Sequence, residues 1–226
     1  MSINNEESWQ RYWSDSQKIN FLQKIYNAIA SKYRTKLIGP RLKHELRLAF
    51  PSGGSLLHAG SGGGEVDEFI PKNISVLAID ISQNAVNLYN QRHDKHSAIK
   101  HDIFELEKLE AKFDGLYNLG VMEHFSPSEC RQILTSAHKI LNSHGILVLF
   151  WPPCYGSSVI FLSIIHGFLR IARRKKFQPL HPEEPNKICR PKKIINLLDE
   201  SGFKIQRFSF SYRDFFTYVA VVASKK

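Results

Sequence analysis

Residues whose types and spacing could carry chemistry gather around two short stretches. In Leu56-Leu57-His58-Ala59-Gly60-Ser61-Gly62-Gly63-Gly64-Glu65 an apolar run enters a glycine-rich turn. In Val76-Leu77-Ala78-Ile79-Asp80 a second apolar run ends on an acid, 20 residues after Gly60. Strand, glycine turn, helix, strand and acid is the layout of a nucleotide site at the carboxyl edge of a parallel sheet. The glycines let backbone amides come close to a ligand, and the acid can accept from both hydroxyls of a ribose. Hydrogen bonds to a charged group of this kind are worth about 1.5–3 kcal/mol each.

Position 65 narrows the choice of nucleotide. A dinucleotide fingerprint, G-x-G-x-x-G/A, would place a third small residue there, whereas this chain has Glu65 and brings its third glycine one place early, at Gly64. A carboxylate at a helix amino terminus competes with pyrophosphate for the same amides and dipole. It does not obstruct a ligand that carries a cationic amino acid. The spacing G-x-G-x-G therefore points to S-adenosylmethionine.

The elements that must position these residues can be read from periodicity. Apolar runs alternate with helical stretches from 55 to 150, which argues for βαβ units and a parallel sheet. Strands are expected at 55–59, 74–79, 97–101, 114–118 and 145–151, with helices near 64–70, 82–92 and 127–142. Residues 8–50 read as helices, opening on Trp9, Tyr12 and Trp13, with Gly39-Pro40 breaking the pattern. The final part changes rhythm. Residues 203–212 and 215–223 read as two strands joined by a turn at Arg213-Asp214, and strands so close in sequence must pair antiparallel.

Composition sets the outer bounds. The 226 residues allow one domain, or one with an appendage, and a composition 42% hydrophobic and 12% aromatic is ordinary for a globular chain. Cys130, Cys154 and Cys189, odd in number and widely spaced, suggest neither a disulfide framework nor a zinc pattern and suit a reducing compartment. No metal-ligating pattern occurs. The first residues carry no basic and apolar signal pattern, so a cytoplasmic protein is expected. A net charge of +10 suggests an anionic partner or surface. The cationic residues cluster at Arg170, Arg173, Arg174, Lys175 and Lys176, and again at Lys187, Arg190, Lys192 and Lys193.

In these features the chain resembles the class I S-adenosylmethionine-dependent methyltransferases. The glycine turn at 60–64 and Asp80 match in order. His101-Asp102-Ile103 resembles the segment whose acid meets the adenine amino group. Phe113-Asp114-Gly115-Leu116-Tyr117-Asn118-Leu119-Gly120-Val121-Met122-Glu123-His124-Phe125 resembles the family's fourth motif, and Leu141 to Leu149 the turn and fifth strand that follow. The resemblance implies an α/β, Rossmann-like fold: a seven-stranded, mostly parallel sheet with an antiparallel C-terminal strand and helices on both faces. N-terminal helices and a helical insertion after strand 5 would complete it. Residues 1–50 would form a helical cap, 51–226 the methyltransferase domain, and about 152–190 a helical lid. The cofactor would be held by His58, Gly60, Ser61, Gly62, Gly64, Asp80, Ile81, Asp102, Ile103, Asn118 and Leu119. One departure stands out. The family usually has Asp or Glu at position 58 to hold the methionyl ammonium; this chain has His58. A neutral imidazole accepts a hydrogen bond and an imidazolium repels the ammonium. Backbone carbonyls near Gly60 and Asn118 are the alternative seat.

Methyl transfer from a sulfonium is an in-line displacement in which the cofactor carries the hard chemistry. The protein must hold the acceptor close and aligned, which can lower the barrier by about 7–11 kcal/mol. His124, just past the fourth strand, is the candidate general base; its structural reading is a residue packed at a helix start. Glu123 reads as structural. Trp151-Pro152-Pro153-Cys154-Tyr155 resembles a motif that grips planar amides, but it follows the wrong strand. Three readings fit the apolar segment 158–172 and its basic end at 173–176: a lid over a hydrophobic acceptor near an anionic membrane surface, a homodimer contact, or core beneath an insertion. Its apolar run, about 12 residues, is short of the roughly 20 a membrane span requires. Tyr12, His124, His166 and His181 are the candidate acceptor contacts. Taken together, methyl transfer to a small or lipid-like acceptor, with oxygen as the receiving atom, is the function expected. RNA or protein methylation and a non-catalytic cofactor-binding scaffold are the alternatives; no dedicated nucleic-acid module is legible.

Overall fold

The computed structural model describes residues 9, 10, 13, 28–157, 159 and 186–226. Its centre is a seven-stranded sheet: β1 (Gly54–Ala59), β2 (Ile74–Asp80), β3 (Ser97–Lys100), β4 (Phe113–Leu119), β5 (Leu141–Trp151), β6 (Phe203–Phe210) and β7 (Val219–Lys225). Their spatial order is β3-β2-β1-β4-β5-β7-β6. β1 pairs in parallel with both β2 and β4, so the order reverses there and opens a crevice at the carboxyl edge. β7 inserts between β5 and β6, antiparallel to both, which makes it the reversed strand. β5 begins four residues before its expected start, at Leu141, β6 stops at Phe210 rather than at 212, and β7 begins at Val219 rather than at 215.

Helices cover both faces. On one, α1 (Gly39–Ala49) lays Leu42 and Leu46 with Phe50 onto Leu56, Val76, Tyr117, Val148 and Phe150. On the other, α3 (Pro127–Ile140) and α4 (Pro191–Glu200) bury Ile133, Leu134, Ile194 and Leu198 against Leu57, Ile79, Leu116 and Leu149. Even and odd positions of each strand thus serve opposite cores, as the pleat requires. α2 (Gln83–Arg92) begins on Ser82, whose hydroxyl accepts from the Ala85 amide. α3 begins with a reciprocal capping box between Ser126 and Glu129.

Three expectations from sequence need correction. Gly39-Pro40 does not break the first helix: helical backbone runs on through a π-helical turn, Arg34–Ile38, into α1. The wider turn sends the Gly39 amide to the Arg34 carbonyl and sets Pro40 where the π-helical turn passes into α1. Gly39 is there for space, since a Cβ would collide with the Phe69 ring. Second, residues 64–70 are not a helix. Three left-handed glycines, Gly60, Gly62 and Gly64, are followed only by a short 3-10 turn, Asp67–Phe69, because Asp67 is drawn into the core by side-chain bonds. The dipole competition argued for Glu65 therefore has no helix to act through. Third, Cys154 and Cys189 are joined in a disulfide, with Cα atoms 5.0 Å apart. Spacing in sequence hid the pair because the backbone at 152–154 meets that at 188 only in the fold. There the Cys154 amide donates to the Ile188 carbonyl at 3.1 Å, and the Ile188 amide to that of Pro152 at 3.0 Å.

Candidate active site

The glycine turn is held from both sides. The Gly60 and Ser61 amides donate to the Ile79 carbonyl at 2.9 and 3.0 Å, which ties the end of β1 to the end of β2. From behind, Arg92 donates to the Gly63 carbonyl, and the His93 ring lies 2.8 Å from that of Gly64. At Gly64, with φ of +73°, a Cβ would also press into the Tyr89 ring. The backbone can take this course only with glycine.

Asp80 ends β2 directly across from the turn. Its two oxygens accept separately, one from the Gly62 amide at 2.8 Å and one from the Ser82 amide at 2.9 Å. Burial pushes its carboxyl above the ordinary value despite these bonds. Each oxygen keeps a second lone pair for a ligand hydroxyl. Asp102 spends one oxygen on the Phe104 amide at 2.9 Å, at the start of the 3-10 segment Ile103–Leu109. Ile81 and Ile103 add apolar walls between the two acids.

His58 is 1% exposed on β1 and is not free to turn. Its Nδ1 lies 2.7 Å from Asp67 Oδ2, and its ring stacks on Tyr117 with centroids 4.3 Å apart. Burial would raise the Asp67 carboxyl, but His58 and two tyrosine hydroxyls outweigh it, so the group lies below its usual range. Glu65 behaves alike: burial would raise it, and its pairing with Arg34 leaves it low.

These residues line one continuous cleft of about 330 Å³. At one end are His58, Gly60 to Gly64, Asp80, Ile81, Asp102, Ile103 and Leu119. At the other are Trp9, Trp13, Tyr33, His124, Phe125 and Tyr218. His124 is 5% exposed, with Trp9 edge-on to its ring at 5.2 Å. Asn118 stands one residue behind the lining, fully buried, and neither its amide nitrogen nor its oxygen has a hydrogen-bond partner. Tyr12, His166 and His181 lie outside the described residues. Trp9, Trp13, Tyr33 and Tyr218 were not singled out from sequence as contacts. Only the aromatic cluster at the amino terminus hinted at two of them.

Residues 56–145 match the model of a methyltransferase domain. No curated protein matches the chain. Among solved structures, the magnesium protoporphyrin IX methyltransferase of Synechocystis PCC 6803 with bound SAH is similar at 20% identity and a TM-score of 0.63, covering 96% of this chain and 93% of that one. The glycopeptide N-methyltransferase is similar at 15% identity and 0.62, over 83% of this chain and 90% of that. An O-methyltransferase of neocarzinostatin biosynthesis, complexed with SAH and 1,4-dihydroxy-2-naphthoic acid, follows at 14% and 0.57, over 83% and 56%. The fold is the class I methyltransferase fold. The match and the fold support an enzyme that uses S-adenosylmethionine, which is bound, as SAM or SAH, in solved structures of the magnesium protoporphyrin IX methyltransferase. The residues present suit that cofactor: a left-handed glycine cradle, two acids with unused lone pairs, and a buried Asn118 amide left without partners.

Proposed function

We propose that this methyltransferase alkylates a small or lipid-like acceptor, with oxygen as the receiving atom. The observation that carries the reading is the shape of the cleft. Its cofactor half opens without interruption into a chamber walled by Trp9, Trp13, Tyr33, Phe125 and Tyr218. Apolar aromatic walls with few polar groups are those of a small-molecule pocket. Among the described residues that line the cleft, Arg34 is the one lysine or arginine, and it is paired with Glu65. A nucleic-acid track would need a basic stripe there. A similar protein that methylates magnesium protoporphyrin IX and another complexed with 1,4-dihydroxy-2-naphthoic acid support a small acceptor.

In this reading Asp80 binds the ribose and Asp102 the adenine amino group, with Ile81 and Ile103 against the ring faces. Gly60, Ser61, Gly62, Gly64, His58, Asn118 and Leu119 surround the methionyl part. When bound, the cofactor supplies an electrophilic methyl on a positively charged sulfur. His124 holds the acceptor hydroxyl and takes its proton as the oxygen attacks. Tyr12, His166 and His181 are assigned to the acceptor, residues 1–50 to a cap, and 152–190 to a lid within the 51–226 domain. Among the described residues no helix is long and apolar enough to cross a membrane. A cytoplasmic enzyme whose 158–176 segment touches an anionic membrane, or pairs two copies, completes the proposal.

The test is transfer of labelled methyl from S-adenosylmethionine in cell extract. Label in an organic-extractable product, falling by about 10²–10⁴ in rate with His124→Ala at unchanged cofactor affinity, is expected. Label in RNA or protein instead would overturn the acceptor assignment. Cofactor binding with no label anywhere would favour the scaffold.

A further inference from the structure

The residue at the end of β1 faces the place where the cofactor's amino acid would lie, and there this chain has an imidazole rather than a carboxylate. The nearest carboxylate is Asp67, nine positions on, 2% exposed and reached through His58. Its donors leave little freedom. Tyr89 gives its hydroxyl to Oδ2 at 2.8 Å, and Tyr117 gives its own to Oδ1 at 2.9 Å. Burial and the Asp67 charge push both phenols far above their ordinary range, so both remain donors. An ionised carboxylate only accepts, so the third partner, His58 Nδ1, must carry a proton. A neutral imidazole protonated on Nδ1 presents a lone pair on Nε2. His58 lines the cleft, and no protein group pairs with Nε2 among the described residues.

We propose that Asp67 is a positioning residue for the cofactor: it holds His58 in the Nδ1–H form, so that Nε2 accepts a hydrogen bond from the methionyl ammonium. The pair then brings to the site the negative charge that a carboxylate at position 58 would have brought. The stacked Tyr117 ring fixes the plane of the imidazole, and the 3-10 turn that carries Asp67 is pinned to the glycine turn through Gly64, whose carbonyl accepts from the Asp67 amide at 3.0 Å. Groups that orient a histidine from behind commonly matter by about 10–100-fold in affinity.

The proposal rests on the cofactor assignment, and calorimetry with two ligands separates the two. S-Adenosylhomocysteine carries the ammonium; 5′-methylthioadenosine has the same nucleoside and thioether without it. In the full-length protein, Asp67→Asn is expected to weaken S-adenosylhomocysteine about tenfold or more and to leave methylthioadenosine unchanged. Equal loss for both ligands would mean a structural role and overturn the proposal, as would no loss for either. If the wild-type protein binds neither ligand, the cofactor assignment itself fails. A second measurement needs no variant: nitrogen-15 NMR of the wild-type protein with labelled histidine. A protonated Nδ1 with a bare Nε2 at His58 is expected, and the opposite tautomer overturns the proposal.

Discussion

Asp80 and Gly62 are joined by a 2.8 Å hydrogen bond from the glycine amide to the carboxylate. The acid that ends β2 thereby sets the shape of the turn that follows β1, so the two halves of the candidate site form one unit.

Asp80 should show opposite effects on binding and on stability. Its folded carboxyl lies above the ordinary value of 3.8, because burial disfavours the charge. Below 3.8 the carboxyl is protonated in both states and costs nothing. As pH rises through the higher folded value, ionising it in place costs stability. Urea unfolding from about pH 4 to about pH 7 should therefore shift in favour of Asp80→Asn relative to wild type. The same variant should lose roughly 10–100-fold in S-adenosylmethionine affinity, since a charged acceptor becomes neutral. A parallel pH profile for the two proteins would contradict the assignment.

Acid should act in the other direction at Asp67. Its folded carboxyl is held below 3.8 by His58 and the two phenols against the cost of burial. The resulting stability is complete above the unfolded value and disappears as pH falls through the folded one, below 3.8. Acid unfolding followed by circular dichroism should be less steep in Asp67→Asn, which has no proton to take up there.

The ion pair of Arg41 and Glu45, 2.9 Å apart and each 1% exposed in its side chain, lies within α1, and two further contacts tie it to β6. Arg207 also reaches Glu45, and Arg41 donates to the Ser209 hydroxyl at 2.7 Å. Removing the carboxylate leaves a guanidinium buried without its counter-charge, so Glu45→Ala should cost about 3–5 kcal/mol. Denaturant midpoints would measure it. A loss under about 1 kcal/mol would place this pair with ordinary surface bridges.

Gly39→Ala sets two effects against each other. Alanine favours a helix by about 1 kcal/mol over glycine. The added Cβ meets the Phe69 ring, and overpacking costs about 1–3 kcal/mol. Net destabilisation is expected, and Phe69→Leu in the same chain should reverse it. Thermal melts of the three variants decide the sign.

The three cysteines should separate by reactivity. Burial pushes the Cys130 thiol up to about 12, and it donates to the Met122 carbonyl at 3.3 Å. Iodoacetamide on the native, reduced protein should label Cys154 and Cys189 and spare Cys130, as read by mass spectrometry. Reduction should also lower the melting temperature, since the bridge closes a loop of 35 residues and such cross-links stabilise by about 2–4 kcal/mol.

Much of the site was legible because it depends on local rules. Apolar runs located β1, β2 and β4, and glycine spacing located the turn. The distance from Gly60 to Asp80 follows from one crossover between the neighbouring parallel strands β1 and β2. The reversed β7 followed from the shortness of its link to β6. Where the reading erred, a distant contact decided the matter. Gly39-Pro40 looks like a stop until Phe69 occupies the space beside it, and 64–70 looks helical until Asp67 is drawn inward.

The amino-acid sequence by itself determined the sheet, the glycine turn and the acids Asp80 and Asp102, since strand period and turn chemistry act between near neighbours. Only the tertiary structure decided that Trp9 and Trp13 face the cleft, that Cys154 meets Cys189, and that Asp67 stands behind His58. Those pairings depend on how closed loops pack against the sheet, and a buried carboxylate gathers whatever donors the packing brings within reach. No periodicity in the chain records which donors those are.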